Sequence, residues 1–157
     1  ALSEVPALSR RLGLGGLLAC ALLGVGRAHG QAQAPTLDWS LLYRPFTGDV
    51  TPSKARVTVS TPRLADNGFT VPVSVRIDSP MTQADHVQRV VLLSNRNPRP
   101  VIAEFDLGPW SGKAELATRV RLNGSQVVMA LAQTSDGRWW QGTAEVEVTE
   151  SACMDAS

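Results

Sequence analysis

Apolar and polar residues alternate with a period of two along most of the sequence after residue 56. Successive side chains of a β-strand point to opposite faces of the sheet, so this alternation is typical of strands with one buried face. The pattern therefore predicts five half-buried strands. The alternating positions are 57 and 59; 71, 73, 75 and 77; 101, 103, 105 and 107; 116, 118, 120 and 122; and 144, 146 and 148.

Two further segments, residues 87–94 and 127–134, are almost continuously apolar. A strand that is covered on both faces has this composition, so we expect both segments to be buried from two sides. Before the first strand, Leu37, Leu41 and Leu42 have helical spacing. With Thr36 or Asp38 as the N-cap, they predict one short helix.

Turn signals separate the predicted strands. About seven short strands joined by turns, with little helix, are typical of an immunoglobulin-like fold. We therefore predict an all-β protein, a two-sheet immunoglobulin-like sandwich of about seven strands with one short N-terminal helix. The turn signals are Asp66-Asn67-Gly68, Asn95-Arg96-Asn97-Pro98, Gly108-Pro109, Asn123-Gly124 and Asp136-Gly137.

The first thirty residues have the order of an export signal. Arg10 and Arg11 precede a glycine-diluted apolar run over residues 12–23, which is typical of the bacterial twin-arginine route. The run is too short and too rich in glycine to span a bilayer. We expect residues 1–30 to be removed as a signal peptide, leaving a domain over residues 31–149 in the periplasm.

A lipoprotein signal is the alternative for this segment. Leu17-Leu18-Ala19-Cys20 fits a lipobox, which would make Cys20 an acylated N-terminus and anchor the protein to a membrane. The apolar run continues beyond Cys20, however, so that cleavage would fall in its middle. Removal of Cys20 with the signal peptide is the preferred interpretation.

The charge of the mature chain is close to zero. The sequence has 15 basic and 14 acidic residues, and three basic residues and one acidic residue lie in the first thirty positions. Their removal leaves twelve basic and thirteen acidic residues, a net charge of −1. This balance argues against partners that are nucleic acids or anionic membrane surfaces.

One cysteine, Cys153, remains after the expected processing. The alternation stops after Thr149, so we expect Cys153 on a flexible C-terminal arm, residues 150–157. An unpaired cysteine in an oxidising compartment indicates an intermolecular disulfide or a functional thiol. Glu150 and Asp155 are negatively charged neighbours that disfavour the thiolate. Cys153 is therefore a poor nucleophile and better suited to carry a group that other proteins attach, unless it is merely a stray exposed residue.

Other sites for chemistry are few. His86 is the single histidine outside the signal, so a zinc site with two histidines is excluded. Met81, His86 and Met129 have side chains that bind copper(I), although loop and core roles fit them better. No hydrolase, P-loop or dinucleotide motif is present, and we predict neither an enzyme nor a cofactor. The tryptophans Trp110, Trp139 and Trp140 fit core or interface positions better than a ligand cage.

Several segments in order resemble the SoxY subunit of the bacterial thiosulfate-oxidising (Sox) system. The resemblance extends over essentially the whole mature chain, and the twin-arginine signal supports it. The segments are Asp66-Asn67-Gly68-Phe69-Thr70-Val71-Pro72-Val73, Asp78-Ser79-Pro80-Met81-Thr82-Gln83-Ala84-Asp85-His86-Val87, Asn97-Pro98-Arg99-Pro100 to Phe105, Thr118-Arg119-Val120-Arg121-Leu122, and the closing strand with its cysteine.

The resemblance implies a carrier without catalytic residues. It implies an immunoglobulin-like subunit paired with SoxZ, whose arm cysteine, here Cys153, holds a thiosulfate-derived intermediate. A c-type cytochrome partner would load the cysteine, and other periplasmic enzymes would process the adduct. Arg119, Arg121 and Arg138 are open candidates for contact with this anionic group.

The arm departs from the family pattern of Gly-Gly-Cys-Gly-Gly, because this chain reads Ser151-Ala152-Cys153-Met154-Asp155. Glycine lets a backbone pass close to other groups, whereas Met154 and Asp155 add bulk and charge. Two alternatives follow: partner enzymes with a wider or differently charged channel, or a divergent interaction module whose cysteine is incidental or forms an intermolecular disulfide.

Overall fold

The fold is a β-sandwich with a helix on one outer face. A computed structural model describes residues 36–149, and within this range it contains one α-helix, one 3-10 turn and eight strands. The elements are α1 (Trp39–Thr47), β1 (Val57–Ser60), β2 (Leu64–Ala65), β3 (Val71–Ile77), β4 (Val87–Ser94), β5 (Val101–Asp106), the 3-10 turn Pro109–Ser111, β6 (Glu115–Val120), β7 (Gln126–Thr134) and β8 (Trp139–Val148).

The strands form two sheets. One sheet has three strands in the order β1-β3-β6, and the other has five strands in the order β2-β8-β7-β4-β5. Neighbouring strands are antiparallel, except that the two-residue strand β2 runs parallel to the end of β8. The predicted immunoglobulin-like two-sheet sandwich is confirmed.

The core between the sheets follows the period-two pattern. In β3 every second residue, from Val71 to Ile77, is buried and the residues between them are exposed. Each such valine or isoleucine that leaves water contributes roughly 1.5–3 kcal/mol to folding. The facing residues come mainly from alternate positions of β4, β7 and β8: Val90, Leu92, Val128, Ala130, Ala132, Val146 and Val148.

A second core lies between α1 and the outer face of the five-stranded sheet. Leu42 packs there with Val91, Leu93, Met129, Leu131 and Trp139. Neighbouring residues of β4 and β7 thus face different cores, which explains why both strands are almost continuously apolar. The prediction that residues 87–94 and 127–134 are covered on both faces is confirmed.

The predicted helix is also confirmed, with Asp38 as its N-cap. The Asp38 carboxylate accepts a hydrogen bond from the Ser40 amide at 2.8 Å. Pro45 lacks an amide hydrogen, and the helix ends two residues later, where Gly48 has a positive φ of 64°. Leu41 differs from the expectation: its side chain is 63% exposed and does not face the core.

The strand boundaries differ from the prediction at two places. β2 is not predicted by the sequence pattern, because two residues are too few to establish a period. β8 begins at Trp139, five residues before the first alternating position at Ala144. Its first part carries Trp139 and Gln141 on the helix-covered face, so burial on that face hides the alternation.

Candidate functional site

The end of β8 is the point from which the C-terminal arm departs, and hydrogen bonds fix it on the sandwich. The Val148 amide donates to Ser125 Oγ at 2.8 Å. The Thr149 amide donates to the Ala65 carbonyl at 3.1 Å, and the Thr149 hydroxyl donates to the Asp66 carbonyl. Because β2 and the loop before β7 hold the strand from two sides, Thr149 is a defined anchor for the arm.

Three loops surround this anchor, and we call this end of the sandwich the arm end. They connect β2 to β3, β4 to β5 and β6 to β7, and side chains link them. The Asn97 amide group donates to the Arg121 carbonyl at 2.7 Å, and Asn97 Oδ1 accepts from the Asn123 amide at 2.8 Å. The Leu122 amide donates to the Gly68 carbonyl at 2.8 Å. These bonds make the arm end a connected surface.

The arginines of residues 36–149 divide into two groups of five. Those of the first group each form an ion pair with an aspartate or glutamate: Arg44, Arg56, Arg76, Arg89 and Arg138. Those of the second group take part in no ion pair within the described range, and all belong to the loops or strand ends of the arm end. We call this second group the arginine collar: Arg63, Arg96, Arg99, Arg119 and Arg121.

Hydrogen bonds and packing connect the collar to the anchor. Arg96 donates from its guanidinium to the carbonyl of Ser125, whose hydroxyl binds Val148. The Arg63 carbonyl accepts from the Glu147 amide at 2.9 Å. Arg121 lies 5.8 Å from the ring centre of Phe69, a cation–π distance that orients the guanidinium. Arg63, Arg96 and Arg121 are therefore tied to the segments that surround the departure point of the arm.

Arg138, the third arginine singled out in the sequence, lies at the opposite end of the sandwich. It belongs to the turn between β7 and β8, where its guanidinium donates to Asp136 at 2.6 Å. The Thr134 hydroxyl donates to the same carboxylate at 2.6 Å. The structure thus brings Arg119 and Arg121 to the arm end and separates Arg138 from it.

The Asp136 carboxylate makes stability depend on pH. Hydrogen bonds from Thr134 and then Arg138 lower its pKa from 3.8 to about 2 in the folded protein. The ionised form therefore stabilises the fold above pH 3.8, and this contribution is lost as the pH falls to about 2. We expect Asp136→Asn to lower the urea midpoint at pH 7 and to approach the wild type near pH 2. A difference that stays constant between these pH values would contradict this assignment.

A matched control for this titration is Asp49→Asn. The Asp49 side chain is fully exposed, and Arg44 lies 4.0 Å away. An exposed ion pair of this kind contributes little to stability. We expect the Asp49 variant to unfold like the wild type at both pH values.

The candidate copper ligands do not come together. Met81 is buried in the core between the sheets, whereas Met129 is buried in the core under α1, so the five-stranded sheet separates them. His86 Nδ1 lies 3.0 Å from the Thr82 carbonyl, and Asp85 pairs with Arg56 at 3.8 Å. Residues 36–149 contain no group of three histidine, cysteine, aspartate or glutamate side chains that could hold a metal ion.

The three tryptophans have three different environments. Trp139 is buried in the core under α1. Trp140 lies 4.9 Å from the Arg56 guanidinium and 5.5 Å from that of Arg138. Trp110 is 84% exposed and is therefore not a core residue. They share no common site.

A groove of about 720 Å³ lies between α1, the segment before β1 and the outer face of β7 and β8. Trp39 and Tyr43 line its helix side, Lys54 and Arg56 line the other side, and Met129 lies at its floor. None of the residues that line it belongs to the arginine collar. The groove is thus distinct from the surface around the arm.

Cys153, the predicted attachment site, lies outside the described residues, as do the predicted signal peptide and Cys20. The domain boundaries at residues 30 and 149 therefore stay predictions. Within the described range, no helix has the length and hydropathy needed to cross a membrane.

The fold and the arm end define a class: all-β immunoglobulin-like domains with a C-terminal extension anchored at the last strand. Within this class, the profile of the family described as "Sulfur oxidation protein SoxY" matches residues 44–153. This match covers more than half of the chain and extends to Cys153. The chain belongs to the SoxY family.

Solved structures agree in fold. The sulfur carrier protein SoxY from Chlorobium limicola f thiosulfatophilum superposes with a TM-score of 0.59 at 22% identity, covering 70% of this chain and 90% of that one. A superoxide reductase (neelaredoxin) from Ignicoccus hospitalis has a TM-score of 0.53 at 16% identity, covering 60% and 80%. A putative superoxide reductase from Thermotoga maritima has a TM-score of 0.52 at 17% identity, covering 74% and 95%. At these identities the likeness concerns the fold alone. No curated protein sequence matches the chain.

Proposed function

We propose that the protein is a periplasmic carrier that holds thiosulfate-derived sulfur intermediates covalently on Cys153. Membership of the SoxY family and the likeness to a sulfur carrier protein support a carrier role in sulfur oxidation rather than catalysis. The observation that carries the proposal is the anchor at Thr149. Four residues of extended chain reach about 13–14 Å beyond it, which suits a thiol presented to other proteins.

The proposed loading step is an oxidation. The Cys153 thiol and a thiosulfate dianion form a sulfur–sulfur bond and give a cysteine S-thiosulfonate, with release of one proton and two electrons. The electrons pass to a c-type cytochrome partner, the class of protein that the family resemblance implies. Since Glu150 and Asp155 disfavour the thiolate, activation has to come from outside the arm's own sequence.

Membership of the family also implies partners from a Sox system. We propose a heterodimer with a SoxZ-like subunit and transient contact with the sulfur-processing enzymes. Export by the twin-arginine route would place the carrier in the periplasm, in keeping with the paired Arg10 and Arg11.

We expect intact-mass analysis of the protein from thiosulfate-grown cells to show the mass increment of one thiosulfate group or of its processed products. The increment should map to the peptide that contains Cys153 and disappear completely in Cys153→Ser. N-terminal sequencing of the same sample would locate the signal cleavage and show whether Cys20 is retained.

The alternative, an interaction module with an incidental cysteine, gives a different result. It predicts no adduct in thiosulfate-grown cells and unchanged function of the Cys153→Ser variant, or a disulfide dimer on non-reducing gels. Absence of the adduct from the wild type under these conditions would overturn the carrier proposal.

A further inference from the structure

We infer that the arginine collar is a recognition site for small sulfur oxyanions that serves Cys153. It binds the anionic end of thiosulfate, or of the adduct, while the sulfur is attached to the arm. This inference rests on the proposed carrier function and adds residues to it. It starts from the division of the ten arginines within residues 36–149: the five away from the arm end each form an ion pair, and the five at the arm end form none with another residue of this range.

The collar is within reach of the cysteine. Cys153 lies four residues after Thr149, so its sulfur stays within about 13–14 Å of the anchor plus the length of one side chain. Arg96 connects to the anchor through Ser125, and Arg63 connects through Glu147. The collar residues that contact the anchor therefore lie within the distance that the four residues from Thr149 to Cys153 can span.

The charges around the arm disfavour an anionic substrate in the absence of such a site. Glu150 and Asp155 flank the cysteine, and Glu147 is an exposed acid at the end of β8. A thiosulfate dianion that approaches this cysteine meets like charges, which raise the free energy of the encounter. The collar supplies five positive charges on the same end of the sandwich, where Asp66 is the single acidic loop residue among the described ones.

Guanidinium groups suit this ligand better than a general positive charge would. Their planar N–H pairs match two oxygens of a tetrahedral oxyanion, as they match carboxylates and phosphates. Arg121 is already oriented by the Phe69 ring, so less side-chain freedom is lost on binding. With the carrier function proposed above, the tetrahedral oxyanion is thiosulfate or a related sulfur oxyanion.

The test compares two reagents that attack the same thiol. In the reaction with tetrathionate, a dianion, the Cys153 thiolate attacks a central sulfur. One thiosulfate leaves with the electron pair, the thiol proton goes to solvent, and the S-thiosulfonate remains on the cysteine. Dithiodipyridine, a neutral disulfide, reacts by the same exchange without the charge. Mass spectrometry of the Cys153 peptide from the full chain gives both rates.

We expect the double variant Arg99→Gln/Arg121→Gln to lower the tetrathionate rate about tenfold at about 0.01 M ionic strength. The dithiodipyridine rate should stay within about twofold of the wild type, because that reagent carries no charge. Added salt should reduce the tetrathionate rate of the wild type more steeply than that of the variant.

The matched control is Arg44→Gln/Arg76→Gln. It removes the same charge from exposed arginines that lie outside the arm end and are ion-paired. We expect both rates to remain close to the wild type in this variant. An equal fall in the control, an equal fall for both reagents, or no change in the collar variant would overturn the inference. The last result would favour contact of the collar with an acidic partner protein.

Failure of this inference differs from failure of the carrier function. An adduct in thiosulfate-grown cells together with an unchanged tetrathionate rate in the collar variant would refute the collar alone. A collar-dependent tetrathionate rate without any adduct in cells would refute the carrier function and leave the oxyanion site in place.

Discussion

Leu131→Ala is expected to lower the free energy of unfolding by about 3 kcal/mol, because it opens a cavity in the core under α1. Leu131 is fully buried, on the face of β7 that the helix covers. Its neighbours Val91, Leu93 and Trp139 belong to β4 and β8, which are hydrogen-bonded to β7 on either side. Because the sheet holds these strands in place, little of the cavity can close. Urea unfolding monitored by tryptophan fluorescence would measure the loss, and the melting temperature should fall by roughly 10 °C.

The control for this prediction is Leu41→Ala, the same substitution on the exposed side of the helix. Leu41 is 63% exposed and belongs to neither core, so its truncation should change the stability by less than about 0.5 kcal/mol. Equal effects of the two substitutions would mean that α1 does not pack on the sheet as described. The second core would then not be part of the folded protein.

The two-sheet architecture was predictable because a half-buried strand shows its burial directly in the sequence. In β3 four apolar residues alternate with exposed ones, and the buried set coincides with the predicted set. The two continuous apolar runs were informative for a related reason: residues 87–94 and 127–134 are apolar on both faces, which requires a cover on each side. That α1 is the cover of the outer face follows only from the structure, where Leu42 packs on the sheet and Leu37 and Leu41 are exposed.

Arg119 and Arg121 are open candidates in the sequence, but the collar as a group could not be predicted, because it arises from topology. Arg63, Arg96 and Arg121 are far apart in the sequence, and nothing in their local sequence links them. The order of strands in the two sheets brings their loops to the end where β8 finishes. The position of Arg138 could not be predicted either. Like Arg121, it lies beside the end of a strand in the sequence, but the turn between β7 and β8 places it at the opposite end of the sandwich.

The position of the collar changes what the charged residues near Cys153 imply. The sequence neighbours Glu150 and Asp155 are acidic and describe a thiol that repels both its own ionisation and an anionic substrate. Thr149, the anchor of the arm, lies however at an end of the sandwich whose five arginines form no ion pair within residues 36–149. The folded surface at the anchor therefore offers the positive charge that the sequence around Cys153 lacks.

Gly142→Ala is expected to destabilise the protein by about 2 kcal/mol, because it forces the backbones of two strands apart. Gly142 lies in β8, and a methyl group at this position would overlap the carbonyl oxygen of Val57 in β1 and lie 2.9 Å from its carbonyl carbon. The obstacle is backbone, so it cannot rotate away. Without a clash, replacing a glycine in a strand interior by alanine would stabilise the protein by about 0.5–1 kcal/mol. The cost of the overlap therefore has to exceed this gain.

The matched substitution is Gly108→Ala, where a methyl group would instead overlap the ring of Trp110. That side chain is 84% exposed and can turn into solvent, and the φ of Gly108 is −158°, which any residue adopts. We expect a loss below about 0.5 kcal/mol at this position. Chemical denaturation of both variants separates the two cases. If alanine at position 142 were tolerated as well as at position 108, then β1 and β8 would not make the close contact that joins the two sheets at this side of the sandwich.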